Sequence, residues 1–97
     1  MNAILNIYKD CSSDKPSKQY VCKRLLLGVS KKVQALSENM ADKTDKEQEE
    51  ITIDILKTIF PTFEDDDFNY IDPVEYFSFI NEISKETNKL MVNAIKN

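Results

Sequence analysis

The chain has 97 residues, 41% of them hydrophobic and 31% charged, with a net charge of −4 and a pI near 4.8, which suits one soluble domain with a modest core and argues against general affinity for nucleic acid. The absence of histidine removes the commonest general base and transition-metal ligand, and the single glycine, Gly28, excludes a glycine-rich phosphate loop. No apolar run approaches the roughly 20 residues needed to span a bilayer.

The first element is a hairpin. Residues 2–8 alternate, with Ala3, Leu5 and Ile7 set against Ile4, Asn6 and Tyr8, as a short strand does. The N-terminus lacks a basic n-region and a long apolar core, so a cytosolic chain is expected. Asp10 to Lys18 carries Ser12, Ser13, Asp14, Pro16 and Ser17, which is turn chemistry. Gln19 to Lys23 is β-prone again, so residues 2–24 predict a hairpin with a long loop. Cys11 and Cys22 fit no metal spacing and read as reduced thiols, with Cys22 partly buried. A disulfide between them would need an oxidising compartment.

Three helical segments follow. Leu26, Val29, Val33, Leu36 and Met40 recur at spacings of three and four and predict a helix over 25–41 with that stripe in the core. Thr44 and Glu47 form a capping-box pattern that starts a second helix over 45–60. Its apolar face is Ile51, Ile55, Leu56, Ile59 and Phe60, and Pro61 ends it. After a connector over 61–72, Asp72, Pro73 and Glu75 supply an N-cap acid, a proline at the first position and an acid at the third. Val74, Phe77, Ile80 and Ile83 or Ser84 then follow at helical spacing and mark a core stripe. Tyr76 and Phe79 lie to one side of it. The pattern weakens through Leu90, Met91, Ala94 and Ile95, so 73–96 is one helix or a helix pair. The expected fold is mainly α with a small N-terminal β-hairpin (α+β), with three to four helices in a single domain over 1–97.

The connector and the helix start after it carry the functional question. Residues 60–77 hold the acids Glu64, Asp65, Asp66 and Asp67 among Phe60, Phe63, Phe68, Tyr70, Tyr76 and Phe77. A calcium loop of the EF-hand kind starting at Glu64 would place Asp66, Asp72 and Glu75 at ligand positions and Ile71 at its hydrophobic position. It would also place Phe68 where an oxygen ligand belongs and Asn69 where the sharp turn needs glycine. Asp72 and Glu75 are already accounted for by the helix start. Paired carboxylates for hydrolysis would need a pocket and a partner that the local run does not supply. An interaction surface fits better. A chain this short leaves some of its aromatics at the surface, and aromatics rimmed by acids suit protein binding. The expected surface comprises Phe63, Glu64, Asp65, Asp66, Asp67, Phe68, Tyr70, Tyr76 and Phe79. The competing reading puts Phe60, Phe63, Ile71, Phe77 and Ile80 in the ordinary core between helices. Both readings are expected to hold in part, with Phe60 and Phe77 anchoring the connector to the core. No catalytic residue, metal or cofactor is expected.

The order of these elements resembles a known family. The hairpin runs into a helix through Tyr20-Val21-Cys22-Lys23-Arg24-Leu25-Leu26-Leu27. A later helix closes in Ile59-Phe60-Pro61, and the last one opens Ile71-Asp72-Pro73-Val74-Glu75-Tyr76. This layout resembles the small tail assembly chaperones of long-tailed phages and prophages of Gram-positive bacteria. Asn69 stands in the region where that family usually has glycine. The resemblance implies a non-enzymatic assembly factor in the cytoplasm of the bacterial host cell. Its partners would be the tape measure protein and tail tube subunits, with no nucleic acid or membrane involved, and a homo-oligomer is compatible with it. The alternatives are a degenerate EF-hand-like regulatory module, or a small acidic phage or viral inhibitor of a host protein.

Overall fold

A computed structural model of the chain describes residues 1–96, with side chains as far as Leu90. The architecture is a two-stranded antiparallel hairpin followed by three α-helices and one 3-10 helix. Strands β1 (Ala3–Ile7) and β2 (Lys18–Cys22) pair with Leu5 opposite Tyr20, Ala3 opposite Cys22 and Ile7 opposite Lys18. Because side chains alternate across a strand, Ala3, Leu5, Ile7, Tyr20 and Cys22 share one face, and all five are buried. Ile4 and Val21, paired on the other face, are exposed. In the loop between the strands, Asp10 Oδ1 accepts hydrogen bonds from the Ser12 amide at 3.0 Å and the Ser12 hydroxyl at 2.9 Å.

Helix α1 (Leu27–Glu38) is shorter at both ends than its periodicity predicts. Leu26 is the N-cap, with extended backbone, and is 61% exposed rather than in the core. The helical rotation has not begun at that residue, so Leu25 fills the core position instead, with Ser30 and Val33 buried further along. Helix α2 (Asp45–Ile59) begins with the reciprocal cap that its sequence encodes. Thr44 Oγ1 accepts from the Glu47 amide at 3.2 Å, and Glu47 Oε1 accepts from the Thr44 amide at 3.3 Å. At the other end Phe60 turns extended before Pro61. Its ring lies 5.3 Å from Tyr20 and 5.7 Å from Phe79.

The connector folds as a 3-10 helix over Asp65–Tyr70. Beyond it, Ile71 bridges Ile7 antiparallel, and the Tyr8 amide donates to the Tyr70 carbonyl at 2.8 Å. The connector is thereby fixed along the edge of β1 that β2 does not occupy. Helix α3 (Pro73–Lys96) is one continuous helix. Asp72 Oδ1 caps it, accepting from the Val74 amide at 2.8 Å and the Glu75 amide at 3.4 Å.

The inward stripe of α3 is rotated from the expected one. Phe79 and Ile83 are in the core and Tyr76, Ile80 and Leu90 pack against it, while Val74 and Phe77 face outward. Both candidate stripes have helical spacing, and the Tyr76–Phe79–Ile83 stripe is the one that meets the hairpin face and Phe60. Met91, Ala94 and Ile95 lie outside the described side chains.

Candidate functional site

The acidic connector is built around one carboxylate. Asp67 is 1% exposed, which is costly for a charge without partners. Its Oδ2 accepts three hydrogen bonds, from the Tyr20 hydroxyl at 2.5 Å, Lys18 Nζ at 3.1 Å and the Glu64 amide at 3.3 Å. Lys18 Nζ also donates to the Tyr20 oxygen at 3.1 Å. Lys18 and Tyr20 sit two apart on β2, so the pleat presents both to the same side.

The protonation states follow from this geometry. Burial alone would raise the Asp67 carboxyl, but the donors from Tyr20, Lys18 and Glu64 outweigh it and hold it below the usual range. Burial and the Asp67 carboxylate together push the Tyr20 hydroxyl up. The Tyr20 and Asp67 oxygens raise the Lys18 ammonium. The result is a charged, closed triad.

The other acids of the connector point outward or serve the backbone. Glu64 is exposed, with Oε2 4.0 Å from Lys18 Nζ. Asp65 is exposed and pairs with Lys57 from α2. Asp66 is exposed and accepts from Asn69 at 3.4 Å. Glu75 faces the hairpin, accepting from the Tyr8 hydroxyl at 2.9 Å and from Asn6 Nδ2 at 3.3 Å. That hydrogen bond is the first cause of the raised Tyr8 hydroxyl, with desolvation second.

This arrangement corrects the expected interaction surface. Phe63, Asp67 and Phe79 are not surface residues. Phe63 packs with its ring 5.4 Å from Tyr20, Asp67 is the buried centre of the triad, and Phe79 is 2% exposed against Phe60. Phe68, Tyr70 and Tyr76 are half-buried against the core. Lys9 Nζ covers the Tyr70 ring at 4.3 Å from its centroid. Burial pushes the Tyr76 hydroxyl up. Of the nine expected residues, Glu64, Asp65 and Asp66 are fully at the surface.

The apolar part of the surface lies one helical turn later. Val74 is 75% exposed and Phe77 70% exposed. They stand three residues apart at the start of α3, so they share one face and form a ledge beside the connector.

No family model, curated protein or solved structure matches this chain. The site is therefore read from its own chemistry. Asp67, Asp72 and Glu75 each spend oxygens on protein donors, in three different directions. Among the described residues no three cysteine or acidic side chains gather in a metal-holding group. No helix among them is long and apolar enough to cross a membrane. A cleft of about 570 Å³ opens between the hairpin loop and the connector, lined by Lys9, Cys11, Asp14, Tyr70 and Pro73 among others. A groove of about 290 Å³ runs between α1 and α3 past Val33, Met40, Tyr76 and Ile80. Cys11 is an exposed thiol and Cys22 a buried one, pushed up by its burial.

Proposed function

We propose that the protein is a non-enzymatic phage tail assembly chaperone, which binds the tape measure protein, tail tube subunits or both during virion morphogenesis in the host cytoplasm. The observation that carries this reading is the exposure of Val74 and Phe77 at the start of α3, in the segment that directly follows the connector with its exposed Glu64, Asp65 and Asp66. Two large exposed apolar side chains at i and i+3 suit docking to an amphipathic helix. A tape measure protein is a long helical chain, and its apolar stripes need cover before assembly. The order of elements, from hairpin to capped final helix, supports the family. The rigid mounting of the connector supports the binding role, because a surface fixed in advance loses less entropy on association.

The calcium-module alternative is weakened by the same geometry. Asp72 and Glu75, two of its ligands, already accept hydrogen bonds from a helix start and from the hairpin.

Co-expression with a helical tape measure fragment tests the proposal. The fragment gains solubility and co-purifies with the wild-type chain. Phe77→Ser abolishes co-purification while the protein's own melting temperature stays within a few degrees of wild type. A fragment that remains insoluble and unbound beside a well-folded wild-type chain counts decisively against the reading.

A further inference from the structure

We propose that the two ends of the hairpin are complementary docking surfaces through which copies of this chain associate head to tail. The inference engages the same Val74–Phe77 ledge as the chaperone reading but does not need that reading, and it rests on how charge and exposed apolar side chains are distributed.

Every charged residue from Lys15 to Ser37 is basic, namely Lys15, Lys18, Lys23, Arg24, Lys31 and Lys32. The connector, by contrast, is acidic without interruption from Glu64 to Asp67. The fold places Lys23 and Arg24 at one end of β1 and the acidic connector at the other, where Lys18 lies against it. At the Ala3 end, Cys22 is the strand partner and the N-terminal ammonium donates to the Lys23 carbonyl at 3.4 Å. Lys23, Arg24, Leu26 and Leu27 are all exposed there. At the Ile7 end, Ile71 bridges the strand, Tyr8 holds Glu75 at 2.9 Å, and α3 begins with Val74 and Phe77 exposed.

Each end therefore combines two exposed apolar side chains with a net charge, positive at Lys23 and Arg24 and negative at the connector, where Lys9, Lys18 and Lys57 offset only part of the acid. Lys23 and Arg24 have no acidic partner among the described residues. Glu86, the acid whose charge reaches Cys22 at that end, pairs with Lys89 at 3.4 Å. At the acidic end Lys57 and Lys18 answer Asp65 and Asp67, which leaves exposed Asp66 and Asp72 without an ion-pair partner among the described residues.

The two surfaces cannot satisfy each other within one chain. Ala3 and Ile7 are ~14 Å apart at the rise of a β-strand, and the end groups extend beyond them. That exceeds the Debye length of about 8 Å at physiological salt. A second copy can bring the basic end of one molecule against the acidic end of the next. Such a contact uses two different patches, so it is heterologous and repeats.

The test uses the full chain and two variants made only at exposed positions. Lys23→Glu with Arg24→Glu disables the basic end. Val74→Ser with Phe77→Ser disables the acidic end. In sedimentation velocity at low salt, the average mass of the wild type rises from 11.2 kDa with concentration and does not stop at the dimer. Each variant alone stays monomeric. An equimolar mixture of the two gives a dimer, a twofold rise in mass, and nothing larger, because each variant still has one working end. Three results overturn the proposal. One is a wild-type mass that does not change with concentration, even if the basic end then binds anionic vesicles. The second is a single variant that still dimerises, which marks a two-fold contact. The third is a mixture that remains monomeric.

Discussion

Tyr20 donates its hydroxyl to Asp67 Oδ2 at 2.5 Å across 47 residues of sequence. The bond ties β2 to the middle of the connector. Removing the carboxylate leaves the buried Tyr20 hydroxyl only the Thr62 carbonyl, at a long 3.4 Å, and takes the Glu64 amide's partner as well. Lys18 adds little to the loss, since its side chain is 38% exposed and water can replace the contact. Asp67→Ala therefore destabilises the fold by roughly 2–3 kcal/mol, the upper end of the cost of an unpaired buried donor. The corresponding drop in melting temperature is on the order of 10–20 °C for a domain of this size. Asp67→Asn keeps an acceptor oxygen and loses less. Thermal melts of both variants check the order.

The same carboxylate sets the acid limit of stability. Its folded pKa lies below the ordinary value near 3.9, so the native state favours the charged form. The stabilisation is fully present above about pH 4 and is lost as pH falls through the lowered folded value. Glu47, lowered first by the Thr44 hydroxyl, acts in the same direction but is exposed. No histidine is present to titrate between pH 5 and 8. Melting temperature is therefore flat from pH 5 to 8 and falls below pH 4, and Asp67→Asn shows a shallower fall. A steep change near pH 6.5 in the wild type would contradict this assignment.

Local chemistry in the sequence carries the hairpin, the starts of α2 and α3 and the end of α2, whereas α1, which has no side-chain cap, starts later than its periodicity implies. Alternation in Ala3–Ile7, the Thr44–Glu47 box, Pro61 and the Asp72–Pro73 pair each act within a few residues. The site depended on long-range packing that such signals do not hold. Four consecutive acids look alike in sequence, and only the approach of Lys18 and Tyr20 selects Asp67 for burial. In α3, Val74–Phe77–Ile80 and Tyr76–Phe79–Ile83 are equally good helical stripes. The position of Phe60 and the hairpin face decides between them. A signal was present in Asp72–Pro73: an acid cap and proline fix where the helix begins, and residues directly after a cap often precede the first contact with the core. Val74 sits there.

The cap on α2 is a test of local origin. Thr44→Ala removes the acceptor for the Glu47 amide and the hydroxyl that holds Glu47 Oε1 at 2.9 Å. The expected cost is about 1 kcal/mol. Because the box is reciprocal, Glu47→Ala costs part of the same energy, and the double variant costs less than the two single losses added together. Urea unfolding of the three variants measures this. Additive losses would show that the two side chains act independently.

The rotation of α3 gives the sharpest contrast, between two phenylalanines two residues apart. Phe79 is 2% exposed and meets Phe60 at 5.7 Å between ring centroids, whereas Phe77 is 70% exposed. Truncating a buried phenylalanine removes its transfer energy and leaves a cavity, so Phe79→Ala costs about 3–5 kcal/mol. A domain of this size has about 5–15 kcal/mol of total stability, so that variant reaches the edge of unfolding only at the lower end of that range and otherwise folds with a much lower denaturant midpoint. Phe77→Ala changes stability by less than about 0.5 kcal/mol, as surface substitutions do, while weakening any contact made by the start of α3. The stripe Val74–Phe77–Ile80 predicts the reverse order. Denaturant midpoints of the two variants therefore decide which face of α3 meets the hairpin, and with it whether the Val74–Phe77 ledge is free to bind.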